Sequence, residues 1–126
     1  MKTIKQRYTI NAPIEKVWQA LVDVKMINQW GGGPAKMDNK KGTKFKLWGG
    51  DIYGTNTKVI KNKELDQDWF QKGWEKPTKV VFKLSAKGKQ TNVILEHKNV
   101  PVDEFNDVAE GWKEYYMEAI KSLLEQ

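Results

Sequence analysis

The clearest pattern in the chain is the stretch DEFNDVAEGWKEYYMEAIKSLL, residues 103–124. At about 100° per residue, its apolar side chains fall on one stripe and its charged side chains fall opposite. The stripe consists of Phe105, Ala109, Trp112, Tyr116, Ala119, Ile120 and Leu123. The pattern predicts a long helix from about Asp103 to Leu124 with one buried face. Gly111 is its weak point, because glycine inside a helix costs about 1 kcal/mol relative to alanine and permits a bend.

A series of short strands precedes this helix. Between residues 36 and 99, β-like runs alternate with Gly, Asn, Asp and Pro, as in an antiparallel meander. Lys87-Gly88-Lys89 supplies a hairpin turn between the last two runs. The predicted strands are 4–10, 43–48, 52–61, 65–72, 78–86 and 91–99.

Two short helices are predicted between the first strand and the others. Pro13 suits the first turn of a helix that ends at about Val22, and Asp23 suits the cap of a second helix that ends near Trp30. The order β, α, α, several β, long α then predicts one α+β domain over residues 1–126. In this domain an antiparallel sheet and the long helix bury each other's apolar faces.

Composition excludes several classes of protein. The chain has 126 residues and no cysteine, so one core is expected, while disulfide frameworks and thiolate metal sites are excluded. No apolar run approaches the roughly 20 residues that span a bilayer, and no apolar signal segment follows the N-terminal charges. We therefore expect a cytoplasmic protein without a membrane span.

The chain is basic, with 22 Lys plus Arg against 16 Asp plus Glu and a formal charge of +6. Arg7 is the only arginine, and the lysines are spread through nearly every segment. A nucleic-acid site usually combines clustered Arg with aromatic side chains on one face. The pattern predicts a solvated surface that is compatible with acidic partners and does not bind nucleic acid.

The sequence contains no recognisable catalytic or metal-binding motif. His97 is the only histidine, and the only serines, Ser85 and Ser122, do not lie in a nucleophile elbow. Asp66 and Asp68 share a strand face, which we interpret as a solvated edge of the sheet. We expect no catalytic residue, no metal and no cofactor, although proton-transfer chemistry in a shaped pocket stays an open alternative.

Three groups of residues resemble a known family. They are APIEKVWQAL (12–21), the pair GTKF (42–45) and DIYG (51–54), and VPV (100–102) followed by EGWKEYY (110–116). These resemble the activator of heat-shock protein 90 ATPase homologue-like branch of the START/Bet v 1 (SRPBCC) superfamily. The resemblance implies a helix-grip fold, in which a curved antiparallel sheet wraps around the long C-terminal helix.

The first functional hypothesis is a binding module for an apolar or amphipathic small molecule between sheet and helix. Trp and Phe side chains supply contact area, Tyr116 supplies direction, and His97 is either a polar anchor or a hydrogen-bonded residue of the wall. Each ring taken alone is also explained as ordinary core. The candidate cavity residues are Phe45, Trp69, Phe82, Leu84, Leu95, His97, Trp112, Tyr116 and Ala119.

The second hypothesis is a minimal co-chaperone that contacts a heat-shock protein 90 type chaperone and modulates its ATPase. The resemblance and the charge of +6 favour this alternative. Well-understood members of the family carry a further N-terminal domain, for which 126 residues leave no room. We therefore expect its stimulation of a chaperone ATPase to be weak and to fall with salt. We also expect a monomer.

Overall fold

Six antiparallel strands form one curved sheet in the computed structural model, which describes residues 1–126. The strand order is β1-β6-β5-β4-β3-β2, so β1 and β2 are the two edges. All six predicted strands are present, and their ends differ from the prediction by at most a few residues. The strands are β1 (Lys2–Ile10), β2 (Lys44–Leu47), β3 (Ile52–Ile60), β4 (Glu64–Gln71), β5 (Thr78–Lys87) and β6 (Gln90–Val100).

The two short helices lie where the sequence predicted them. Helix α1 spans Ile14–Val22 and α2 spans Val24–Trp30. A side-chain oxygen of Asp23 accepts a hydrogen bond from the backbone N–H of Lys25 at 3.1 Å, which confirms the predicted cap. No helix of the protein is both long enough and apolar enough to cross a membrane.

The C-terminal helix runs from Phe105 to Leu124, as the apolar stripe predicted. It consists of α3 (Phe105–Gly111), a π-helical segment (Trp112–Met117) and α4 (Glu118–Leu124). The π-helical segment, which the sequence did not predict, starts directly after Gly111. Such segments are rare and occur frequently at functional sites. It carries two of the candidate cavity residues, Trp112 and Tyr116.

The inner face of the sheet and the C-terminal helix share one continuous hydrophobic core. Phe82 of β5 contacts the ring of Trp112, with 5.6 Å between ring centroids. Gly54 of β3 permits a close approach of the β4 backbone, because a Cβ atom there would lie 1.8 Å from the backbone oxygen of Asp68. The fold is therefore the two-layer α+β arrangement that the sequence predicted.

The outer face of the sheet holds one departure from the prediction. Asp66 and Asp68 share that face, but β4 lies between β3 and β5, and Asp66 is only 7% exposed. The solvated-edge interpretation is therefore wrong for Asp66. Burial, and next the neighbouring carboxyl group of Glu64, raise the pKa of Asp66 to about 6, while the interaction with Asp66 lowers the pKa of Glu64.

Candidate functional site

A cleft of about 430 Å³ opens between the C-terminal helix and the end of the sheet where β3 begins and β4 ends. Its sheet side includes Ile52 and Trp69, and its helix side includes the start of the π-helical segment. The lining is mainly apolar and aromatic. The lining residues are Trp48, Asp51, Ile52, Trp69, Gln71, Lys72, Asp107, Val108, Gly111, Trp112, Tyr115 and Tyr116.

Four aromatic side chains form a continuous wall of this cleft. The rings of Trp69 and Trp112 stack with 4.9 Å between centroids. Tyr116 contacts Trp112 at 4.6 Å and meets Trp48 edge-on at 6.0 Å. These separations are typical of favourable aromatic pairs. The rings hold one another in place, so the wall is formed before any ligand arrives.

The charged side chains of the cleft lie at its mouth. Asp51, Lys72 and Asp107 are exposed, and Tyr115, also at the mouth, is 67% exposed. Two carboxylates against one ammonium give the mouth a slight excess of negative charge. The interior is therefore apolar and the entrance is polar, which is the usual arrangement of a small-molecule site.

Two polar atoms in the aromatic wall have no hydrogen-bond partner. They are Nε1 of Trp69 and Oη of Tyr116, both buried. The two side chains are only 4% and 2% exposed. Burial raises the pKa of Tyr116 well above its usual value, so this phenol stays protonated. An unpaired buried polar group costs about 1–3 kcal/mol, and both atoms are shut off from the solvent of the cleft.

His97 lies behind the wall and has both ring nitrogens occupied. Nε1 of Trp112 donates to Nδ1 of His97 at 2.9 Å, and Nε2 of His97 lies 2.7 Å from Oγ1 of Thr78. The Thr78 hydroxyl donates in turn to the backbone oxygen of Trp69 at 2.8 Å. These directions assign the proton of His97 to Nε2. Burial lowers its pKa to about 3, so the imidazole is neutral.

The structure brings three of the nine predicted cavity residues to the cleft, namely Trp69, Trp112 and Tyr116. Ala119 lies half-buried further along the helix, away from the cleft. The geometry of His97 fits the hydrogen-bonded wall residue rather than the polar anchor. The other five, Phe45, Phe82, Leu84, Leu95 and His97, are buried and do not line the cleft. As ligand contacts, these residues and Ala119 stay predictions.

Several residues that line the cleft were not predicted, although the sequence contains patterns that indicate them. On the helix, a spacing of four residues places Asp107, Gly111 and Tyr115 along one line beside the Trp112 line. Trp48 has a left-handed φ of 48° and precedes Gly49-Gly50, which marks a sharp turn at the end of β2. No sequence signal pointed to the unpartnered state of Trp69 or Tyr116.

The curved sheet, the long helix and the cleft between them define a helix-grip protein of the START/Bet v 1 type. The family profile described as "Activator of Hsp90 ATPase homolog 1-like protein" matches residues 11–125. The chain belongs to this family.

Solved structures agree with this assignment. An HSP90 activator from Plasmodium falciparum has the same fold with a TM-score of 0.90 at 23% identity, covering 99% of this chain and 97% of that one. A structure described as the Aha1 dimer from Colwellia psychrerythraea reaches a TM-score of 0.86 at 26% identity, covering 99% of this chain and 97% of its own.

Curated relatives are similar in sequence over nearly the whole chain. An activator of 90 kDa heat shock protein ATPase homolog from Dictyostelium discoideum is 28% identical over 123 residues, which cover 95% of this chain and 32% of that protein. The human activator of 90 kDa heat shock protein ATPase homolog 1 is 24% identical over 121 residues, which cover 94% of this chain and 35% of that protein. The chain thus spans about a third of the length of these relatives.

Proposed function

We propose that residues 1–126 act as one domain that binds an apolar or amphipathic small molecule in the cleft between the sheet and the C-terminal helix. The observation that supports this function is the cleft itself, which has about 430 Å³ behind a polar mouth and a wall of four packed aromatic rings. Small-molecule sites typically have about 300–1,000 Å³ and this division between apolar interior and polar entrance.

Gly111 offers a direct test, because it lines the cleft and a Cβ added there meets no atom within 4 Å. Its φ of −61° and ψ of −41° are helical, so any ordinary residue fits the backbone. We expect Gly111→Leu to fill part of the cleft and to abolish binding of a small apolar probe. Ethylbenzene, followed by the tryptophan indole signals in two-dimensional NMR, is a suitable probe.

Gly111→Ala is the matched control. It replaces the same glycine by a residue with a higher helix propensity and should raise the free energy of unfolding by up to about 1 kcal/mol. We expect it to leave most of the cleft open and to retain binding. If ethylbenzene moves no tryptophan signal in the unsubstituted protein, or if Gly111→Leu binds it as well as Gly111→Ala does, the cleft is not the binding site.

A second candidate function is contact with a heat-shock protein 90 type chaperone. This candidate is supported by the similarity of the chain to activators of heat-shock protein ATPases and by two lysines on the outer face of the sheet. Lys79 of β5 and Lys98 of β6 lie directly opposite each other there, and both are exposed. Asp68 of β4 lies opposite Lys79 on its other side, so this face is mixed in charge, and the two exposed lysines are the part of it that suits an acidic partner.

For this candidate we expect weak stimulation of the chaperone ATPase at low salt and none at physiological ionic strength. A Lys79→Glu, Lys98→Glu double variant should remove the low-salt effect, whereas Gly111→Leu should keep it. Strong stimulation at physiological ionic strength by this chain alone would place the co-chaperone function ahead of ligand binding. No stimulation at any salt concentration would exclude it.

A further inference from the structure

We infer that the molecule bound in the cleft carries a cationic head, a protonated or quaternary amine, which lies over Gly111 between the carboxylate of Asp107 and the ring of Tyr115. The apolar body of the molecule then lies inside the cleft. This inference rests on the proposed function and specifies the chemical class of the ligand. It follows from the line that these three residues form along the helix and from the charges at the mouth.

The first step is the placement of the three residues. Asp107, Gly111 and Tyr115 follow one another at intervals of four positions, and all three line the cleft. Residues four apart on a helix have Cβ positions about 5–6 Å from each other. A Cβ atom added to Gly111 meets no atom within 4 Å, so the space above this glycine is open. The carboxylate and the ring therefore flank an open notch over Gly111 at the mouth of the cleft.

The second step is that both flanking side chains are accessible. Asp107 is exposed, and Tyr115 is 67% exposed. The carboxylate of Asp107 takes part in neither of the two ion pairs of the protein. The ring of Tyr115 takes part in none of the aromatic pairs that build the wall of the cleft. Both groups can therefore contact a ligand without giving up a partner within the protein.

The third step concerns the partner that a carboxylate and an aromatic ring have in common. A carboxylate attracts a cation by its charge, and the face of an aromatic ring attracts a cation within about 6 Å of its centre through its quadrupole. A neutral polar head gains less from either group. An anionic head would be repelled by the carboxylate and would gain nothing from the face of the ring. The notch therefore favours a cation.

The distribution of charge around the mouth agrees with this choice. The only basic lining residue, Lys72, belongs to the sheet side, where its backbone N–H donates to the backbone oxygen of Asp51 at 2.8 Å. The sheet side thus carries one charge of each sign, whereas the helix side carries only the carboxylate of Asp107. A cationic head at the notch meets this negative charge with the ammonium of Lys72 on the opposite side of the cleft.

The experiment compares three probes that share a phenylbutyl body and differ in the charge of the head. They are 4-phenylbutylammonium, 4-phenyl-1-butanol and 4-phenylbutyrate, with positive, neutral and negative heads at neutral pH. Affinities come from NMR titration of the tryptophan indole signals at about 0.15 M ionic strength, where charges far from the cleft are largely screened. We expect the ammonium to bind most tightly and the carboxylate least tightly.

Asp107→Asn tests the carboxylate of the notch. It should weaken the ammonium probe about threefold, as the loss of an exposed ion pair does, change the alcohol less than about twofold, and strengthen the carboxylate probe. Asp103→Asn is the matched control, because Asp103 is exposed one turn earlier and does not line the cleft. It removes the same charge and should change each affinity less than about twofold.

Tyr115→Leu tests the ring of the notch. It should weaken the ammonium probe about threefold and the alcohol less, because only the cation loses an attraction to the ring. Tyr115→Phe keeps the ring and should leave the ammonium affinity unchanged. A melting curve of each variant confirms that the protein is folded.

The outcomes separate the inference from the proposed function. If the alcohol binds and the ammonium binds no more tightly, or if Asp107→Asn affects all three probes alike, the cleft does not select a cation and the inference fails alone. If the carboxylate probe binds most tightly, Lys72 determines the choice of head and the inference is wrong. If neither these probes nor ethylbenzene bind, both the inference and the proposed function are wrong.

Discussion

Replacing Trp112 by alanine should lower the free energy of unfolding by about 3–5 kcal/mol, the usual cost of deleting a large buried ring. The side chain is 2% exposed, stacks on Trp69 at 4.9 Å and meets Phe82 edge-on at 5.6 Å. The substitution also removes the indole N–H that donates a hydrogen bond to Nδ1 of His97 at 2.9 Å, which leaves this buried acceptor unpaired. Urea unfolding followed by far-ultraviolet circular dichroism measures the loss.

Two further variants divide this effect into its parts. Trp112→Phe keeps much of the ring but loses the N–H, so we expect an intermediate cost. Tyr115→Ala removes an aromatic ring three residues further along the same helix, where it is 67% exposed, and should change stability by less than about 0.5 kcal/mol. A Trp112→Ala loss as small as that of Tyr115→Ala would mean that the sheet and helix are not packed as described.

The fold could be predicted because its signals are local. Alternation in Val80, Phe82 and Leu84 defines a strand and its inner face, and the spacing of Trp112 and Tyr116 defines the buried stripe of the helix. All five residues are buried in the structure. An apolar sheet face and an apolar helix stripe bury their surfaces most simply by packing against each other.

The site was less predictable because its properties arise between elements. His97 is neutral because burial lowers its pKa. Thr78 of β5 and Trp112 of the helix occupy its nitrogens, and neither contact follows from the sequence around His97. Asp66 is buried because β4 lies inside the sheet. The alternation of apolar and polar residues in β4 does not indicate the order of the strands. Patterns along the chain indicate which face a residue takes, whereas its partners depend on how the elements meet.

The neutral state of His97 leads to the second large effect, a loss of stability in mild acid. Burial lowers the pKa of His97 to about 3 in the folded protein, against an ordinary value of 6.5. Between these values the unfolded chain binds a proton that the folded protein does not. Stability therefore falls as the pH falls from about 6.5, by up to about 1.4 kcal/mol per pH unit.

Protonation of Asp66 changes the stability in the opposite direction over part of the same pH range. Its pKa is raised from 3.8 to about 6 on folding, so the folded protein binds the extra proton, and stability rises as the pH falls through 6. The carboxyls of Asp38 and Glu125 have lowered pKa values, and their contributions are lost only below their ordinary values of 3.8 and 4.5. Above about pH 5, the two opposing groups to separate are thus His97 and Asp66.

The His97 effect is best measured in an Asp66→Asn background, which removes the opposing titration. There we expect the free energy of unfolding to drop by about 2 kcal/mol between about pH 7.5 and pH 5. His97→Gln in the same background should show almost no slope. Because His97 is the only histidine, its ring carbon and nitrogen signals can be followed by NMR without overlap. They should report a neutral ring with the proton on Nε2 throughout this range, and a ring that titrates near pH 6.5 while the protein is still folded would contradict the buried hydrogen-bonded geometry.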